Sequence, residues 1–155
     1  MNVESKQQKQ FPKSLQDYLK QIRLPNKTIK PIGETSRLFL SENIKTLWHA
    51  IQYVQKLPYR RTTDRANYFQ VLIEKRGACS TKHALIAALA KELSIPLKLN
   101  LGIFLLTPQN TPKIALVLES YCFKAIPEAH CYLKYNKKYS TLLSRITRNV
   151  SLMLT

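Results

Sequence analysis

The sequence predicts an α+β domain, and three stretches carry that expectation. Residues 79–93 form an alanine- and leucine-rich run apolar on most sides, which reads as a central helix. Residues 97–103 and 129–135 each alternate apolar with polar residues, the period of a half-buried strand. A turn at Asn136-Lys137 returns the second stretch over 138–143, so the sheet is expected to be small and antiparallel.

Taken in order, residues 1–12 are polar and rich in Gln and Lys, a composition that favours a loose terminus. Leu15, Tyr18, Leu19 and Ile22 keep helical spacing and predict a short amphipathic helix ending before Pro25. Residues 26–34, with Pro31 and Gly33, read as a linker. The expected division is an N-terminal extension over 1–35 and a main domain over 36–155, whose abrupt apolar ending, Ser151-Leu152-Met153-Leu154-Thr155, suggests a shortened domain.

Ser41 is the expected N-cap of a helix carrying Ile44, Leu47, Trp48, Ile51 and Val54 up to Pro58, with His49 on its solvent face. Asp64 is expected to cap a third, short helix bearing Tyr68, Phe69, Leu72 and Ile73. Gly77 supplies the freedom for a sharp turn into the central helix. Beyond Pro96 and the first strand, residues 107–112 read as a loop, and 114–123 as a short helix with Ala115, Leu118 and Cys122 on one face.

Composition narrows the function classes. A chain of 155 residues, 45% hydrophobic and 22% charged, can bury a core without disulfides or a structural metal. It holds 3 glycines and neither GxGxxG nor GxxxxGK[ST], which argues against a nucleotide-binding loop. Three cysteines, an odd number, and no apolar N-terminal run point to a reducing cytoplasm. The apolar runs are shorter than the roughly 18 residues of a membrane span, so no membrane association is expected. The net charge of +16 would attract anionic partners, but the basic residues are scattered from Lys6 to Arg148. A solubilising surface is therefore favoured over a nucleic-acid site.

The chemistry centres on Arg76-Gly77-Ala78-Cys79-Ser80-Thr81-Lys82-His83. A cysteine delivered by a glycine turn to the first turn of a helix meets free backbone N–H groups and the positive end of the helix dipole, both of which favour the thiolate. About fifty residues later His130 lies on a predicted strand. Helix-start thiol and strand-borne imidazole are the parts needed for thiolate-mediated acyl transfer.

These blocks resemble the transglutaminase-like superfamily, in particular its small bacterial members. The resemblance is carried by Leu57-Pro58-Tyr59, by the run from Lys75 to Leu85, and by Ile126-Pro127-Glu128-Ala129-His130-Cys131-Tyr132-Leu133-Lys134-Tyr135-Asn136, and covers about residues 57–143. It implies a papain-like core in which the central helix starting at the cysteine packs on a small antiparallel sheet, with Cys79 as nucleophile and His130 as general base. The implied activity is that of a cysteine hydrolase or acyltransferase on a peptide, protein or small amide or ester, with no cofactor. Family members usually carry an aspartate after the hairpin. Here a two-residue turn pairs Tyr135 with Lys138 and so Tyr132 with Thr141, putting Thr141 in that third position. A hydroxyl can accept the imidazole N–H but supplies no charge. Three outcomes stay open: a slow enzyme, one that recruits another carboxylate such as Glu128, or an inactive relative that binds nucleic acid or an acidic partner through its basic surface.

The remaining candidates are assigned by position. The Cys79 N–H is one expected oxyanion donor, with Tyr59, Asn67 or Gln70 as candidates for the second. His83, four residues on, is expected to pack behind the site, and Ser80 and Thr81 to satisfy helix-start N–H groups. Cys122 and Cys131 are expected to be buried small hydrophobes. A zinc site from Cys79, His83, Cys122, His130 and Cys131 is disfavoured, since no CxxC or HxxxH spacing is present.

Overall fold

The hydroxyl of Ser14 accepts the Asp17 N–H and starts α1 (Leu15–Gln21), which ends where Arg23 turns through the left-handed region. The structure, a computed structural model, describes residues 14–136 and 138–140. Past α1 the chain runs through α2 (Glu34–Ser41), α3 (Leu47–Lys56), α4 (Gln70–Ile73), α5 (Cys79–Glu92) and β1 (Lys98–Leu106). A single 3-10 turn at Pro112–Ile114 leads into α6 (Ala115–Ser120), β2 (Ile126–Tyr135) and β3 (Lys138–Ser140). The fold is α+β: helices gather around α5, and the strands form one antiparallel sheet in the order β1-β2-β3.

The central helix is where the sequence predicts it, from Cys79 to Glu92 with Leu93 as its C-cap. Leu85, Ile86, Leu89 and Ala90 are fully buried and share one core with Phe39, Leu47, Ile51, Val54 and Leu133. Leu19, Ile22, Leu24 and Ile29 belong to that same core, so the segment before residue 35 packs into it rather than beside it. Burying such side chains supplies the main favourable term for folding, about 1.5–3 kcal/mol each.

Several local expectations are corrected. Ser41 is the last residue of α2, a helix the sequence reading missed, and the N-cap of α3 is Thr46, whose hydroxyl accepts the His49 N–H. The break between the two is Asn43, in the left-handed region with φ 58°. The inward residues at the start of α2 are Thr35 and Ser36, whose N–H groups are taken by the Glu92 carboxylate from the far end of α5. A Cβ at Gly33 would run into the Glu92 carboxylate, which would have to shift off these two N–H groups. Asp64 caps no helix. Its carboxylate accepts the Ala66 N–H in a local turn, and α4 begins only at Gln70.

The first strand is longer than predicted, and its alternation faces the other way. Leu99, Leu101 and Ile103 are 42–69% exposed, whereas Asn100, Gly102 and Phe104 are the more covered residues. Register explains the inversion: Gly102 and Phe104 oppose His130 and Glu128, so the face covered in β1 is the His130 face of β2. The hairpin into β3 follows the predicted register, Tyr135 with Lys138 and Leu133 with Ser140, around a left-handed Asn136. The expectations for 1–12, for Thr141 and for the apolar ending lie outside the described residues. Among the described residues no helix is long and apolar enough to cross a membrane.

Candidate active site

The path into Cys79 is set by Gly77, though not for the reason the sequence suggests. No glycine here has positive φ; Lys75, at φ 53°, makes the left-handed turn. Gly77 serves close approach instead: a Cβ would lie 2.8 Å from Lys82 Cγ and 3.0 Å from Val71 Cγ2. Its N–H donates to Pro58 O and its carbonyl accepts the Arg60 N–H, which lays residues 58–60 alongside it. That bridge brings Tyr59 to Cys79. Glu74 reinforces the loop by accepting from the Thr63 N–H and hydroxyl and pairing with Arg76.

Cys79 is the first residue of α5, so its own N–H has no acceptor within the helix. Thr81 Oγ1 accepts the Ala78 N–H at 3.1 Å, the helix-start role predicted for it. The buried Lys82 donates to Leu57 O, tying α5 to the end of the preceding loop.

The Cys79 thiol meets the His130 ring from β2. Burial raises its pKa, but hydrogen bonds to the His130 ring, the Tyr59 hydroxyl and the Cys131 backbone N–H, with the His130 charge, outweigh burial and bring it from 9.0 down to about 7. Tyr59 moves the opposite way, to about 12, through burial and the Cys79 sulfur beside it, with Glu128 adding to the rise. The Cys79 backbone N–H faces the Tyr59 oxygen and offsets part of that rise. The Tyr59 hydroxyl therefore lies close to both the sulfur and the N–H of one residue.

Behind the pair sits His83, fully buried, with Nδ1 at 2.7 Å from the Cys79 carbonyl. A carbonyl only accepts, so Nδ1 carries the proton. Burial, together with the charges of His130 and Lys82, pushes its pKa from 6.5 down to about 4. Between those values the unfolded chain holds a proton that the folded chain does not, so stability falls as pH drops through this window. The loss expected from this residue between pH 7 and pH 4 is roughly 3 kcal/mol, at about 1.36 kcal/mol per unit. Urea unfolding at the two pH values measures it, and a His83→Gln variant should lose less over the same interval; equal losses would remove His83 as the source.

The structure thus brings Cys79 and His130 together and draws in Tyr59, one of the three candidate donors. Of the others, Asn67 accepts the Phe69 N–H at its Oδ1 and Gln70 opens α4, and no contact with Cys79 is seen for either. Glu128 is exposed, two residues before His130 on the same face of β2. Thr141, the predicted third position, lies outside the described residues.

Two cysteine expectations are corrected. Cys122 is exposed at the left-handed end of α6, and Cys131 is half-buried, offering Cys79 its backbone N–H. Strand alternation could not locate Cys122, and Cys131 enters the site through a main-chain group that no side-chain pattern reveals. Among the described residues no set of three or more His, Cys, Asp or Glu is arranged to hold a metal.

An open groove lies along the C-terminal half of α5 and the start of β1, with Lys91, Ser94 and Lys98 among its lining residues and no histidine or cysteine. It lies at the opposite end of α5 from Cys79. Compared with known proteins, the chain matches no protein-family model, no curated protein and no solved structure.

Proposed function

We propose that this protein is a cysteine hydrolase or acyltransferase of the transglutaminase-like, papain-like kind, acting on an amide or ester. The observation that carries the reading is the acidic thiol of Cys79, at about 7, set against the His130 ring at the start of the central helix. In the proposed reaction the thiolate attacks the carbonyl carbon, and the carbonyl oxygen becomes an oxyanion. That oxygen replaces the Tyr59 oxygen on the Cys79 N–H, and the Tyr59 hydroxyl becomes the second donor. Protonated His130 gives its proton to the leaving amine or alcohol as the carbon–heteroatom bond breaks, leaving a thioester on Cys79. A water or amine then loses a proton to His130, attacks the thioester and releases Cys79 as thiolate.

Iodoacetamide labelling as a function of pH tests the activated thiol. Labelling of Cys79 should rise with a midpoint near 7, against about 8.5 for an unperturbed cysteine. A lower-pKa thiolate is also less nucleophilic, so the rate advantage at pH 6 is expected to be only about fivefold. The midpoint is the decisive quantity; a value at or above 8.5, with Cys79 labelled no faster than Cys122 or Cys131, rejects the proposal.

A second reading, a non-catalytic domain of the same fold that binds nucleic acid or an acidic partner, rests on the net charge of +16 and on Thr141 where the family usually carries an aspartate. It requires binding that survives Cys79→Ala and weakens steeply with salt.

A further inference from the structure

Two buried nitrogens in this site have no partner: Nε2 of His83 and Nε2 of His130. Leaving such a group unpaired costs about 1–3 kcal/mol, so a buried orphan calls for an explanation, and here there are two on adjacent rings. The ring centroids of His83 and His130 are 6.1 Å apart with planes at 79°.

The proton inventory of the two rings is complementary. His83 Nδ1 must carry a proton to bond the Cys79 carbonyl, so in the neutral ring Nε2 is a bare acceptor. His130 has Nε2 unpaired, so the nitrogen that meets the Cys79 sulfur is Nδ1. When Cys79 gives its proton to His130, the ring becomes an imidazolium and Nε2 is a donor. One ring thus has a proton to offer and the other a lone pair. Phe104 flanks His130 with its centroid 5.5 Å away, so an apolar group covers that side of the ring.

We propose that His83 is the positioning residue for His130, its Nε2 accepting the His130 Nε2 proton in the role a carboxylate plays in other Cys-His sites. The bond is not closed in the resting structure. Hydrogen bonds of this kind commonly tighten only when the base is charged or substrate is bound. A neutral imidazole fixes the tautomer and orientation of His130 without a buried negative charge, and the low proton affinity of His83 keeps it an acceptor. Its other nitrogen is held by the backbone of Cys79 itself, so nucleophile and base are referenced to the same turn of α5. The proposal goes beyond the function proposed above, and its first arm tests it without relying on that reading.

The ionisable groups around the two rings are Cys79 and Lys82 on α5, Tyr59 on the preceding loop, and Glu128 and Cys131 on β2. None of these is altered by substitution at His83, so a shift in pH behaviour reports on the ring.

The experiment has two arms. In the first, wild-type protein carrying 15N-histidine is followed by NMR from pH 5 to 8. Once the thiol has ionised and His130 carries the charge, His83 should show a protonated Nδ1 and an unprotonated, hydrogen-bonded Nε2, with the His130 Nε2 proton protected from exchange. In that ion-pair form, a protonated His83 Nε2, or a His130 Nε2 proton that exchanges freely, overturns the proposal. In the second arm, iodoacetamide labelling of Cys79 is compared across pH in wild type, His83→Phe and His83→Gln, with circular dichroism confirming the fold. The midpoint should rise by about one pH unit in His83→Phe, as when a charged pair loses one hydrogen bond. It should return towards wild type in His83→Gln, whose amide oxygen restores an acceptor. A folded His83→Phe with the wild-type midpoint also overturns the proposal. If His83→Phe does not fold, the first arm decides alone. An ordinary labelling midpoint in the wild type rejects the proposed function but leaves the NMR arm as a test of the two-ring bond.

Discussion

Cys79→Ser is expected to fold like the wild type and to lose turnover on a responsive amide or ester by on the order of a thousandfold or more. The exchange keeps a small polar group at the start of α5, and the loop, cap and core contacts that hold the helix do not use the sulfur. The chemistry changes because a serine hydroxyl is far less acidic than a thiol at about 7 and cannot form the ion pair with His130 at neutral pH. Its attack needs full general-base assistance, for which the arrangement around His130 provides no carboxylate among the described contacts. Steady-state rates of the two proteins, with circular dichroism as the fold control, measure the effect. A variant keeping a tenth or more of the activity would place the nucleophile elsewhere.

His130→Ala should lower turnover by about 10²–10⁴, the usual contribution of a positioned acid–base group. The same variant should move the Cys79 labelling midpoint from about 7 towards the ordinary 8.5 or higher, since the imidazole hydrogen bond and charge are lost while burial remains. The paired readout separates base from scaffold. A drop in rate with an unchanged midpoint would mean that His130 matters for structure alone. Exogenous imidazole can occupy the vacated space and should restore part of the rate.

How much was legible in the sequence depended on whether a signal was local. The helix from Cys79 and the strand bearing His130 could be read because each carries its own period, and the glycine before the cysteine marked the boundary. Their meeting followed from chemistry, since a helix-start thiol and an alternating histidine suit each other. The inward face of β1 was not legible: alternation shows that a strand has two faces but not which one is covered, and the choice was made by His130 across the register. The missed α2 buries Thr35 and Ser36, polar residues made acceptable by Glu92 more than fifty positions away. Tyr59 reaches the site through the main-chain bridge at Gly77, and a backbone contact leaves no residue pattern. His83 was visible as a same-face neighbour of Cys79, but its unpaired nitrogen beside that of His130 is a fact of three dimensions.

The central helix is both pillar and pointer. Leu89, deep in the core, is ten residues from Cys79, a lever of about 15 Å at 1.5 Å per residue. Pivoting at Leu89 by about four degrees swings the sulfur through about 1 Å relative to a ring anchored on a different element, and misplacement on that scale can cost about a hundredfold in rate. The seating of leucines far from the thiol therefore sets the tolerance to which the sulfur and the imidazole are aligned.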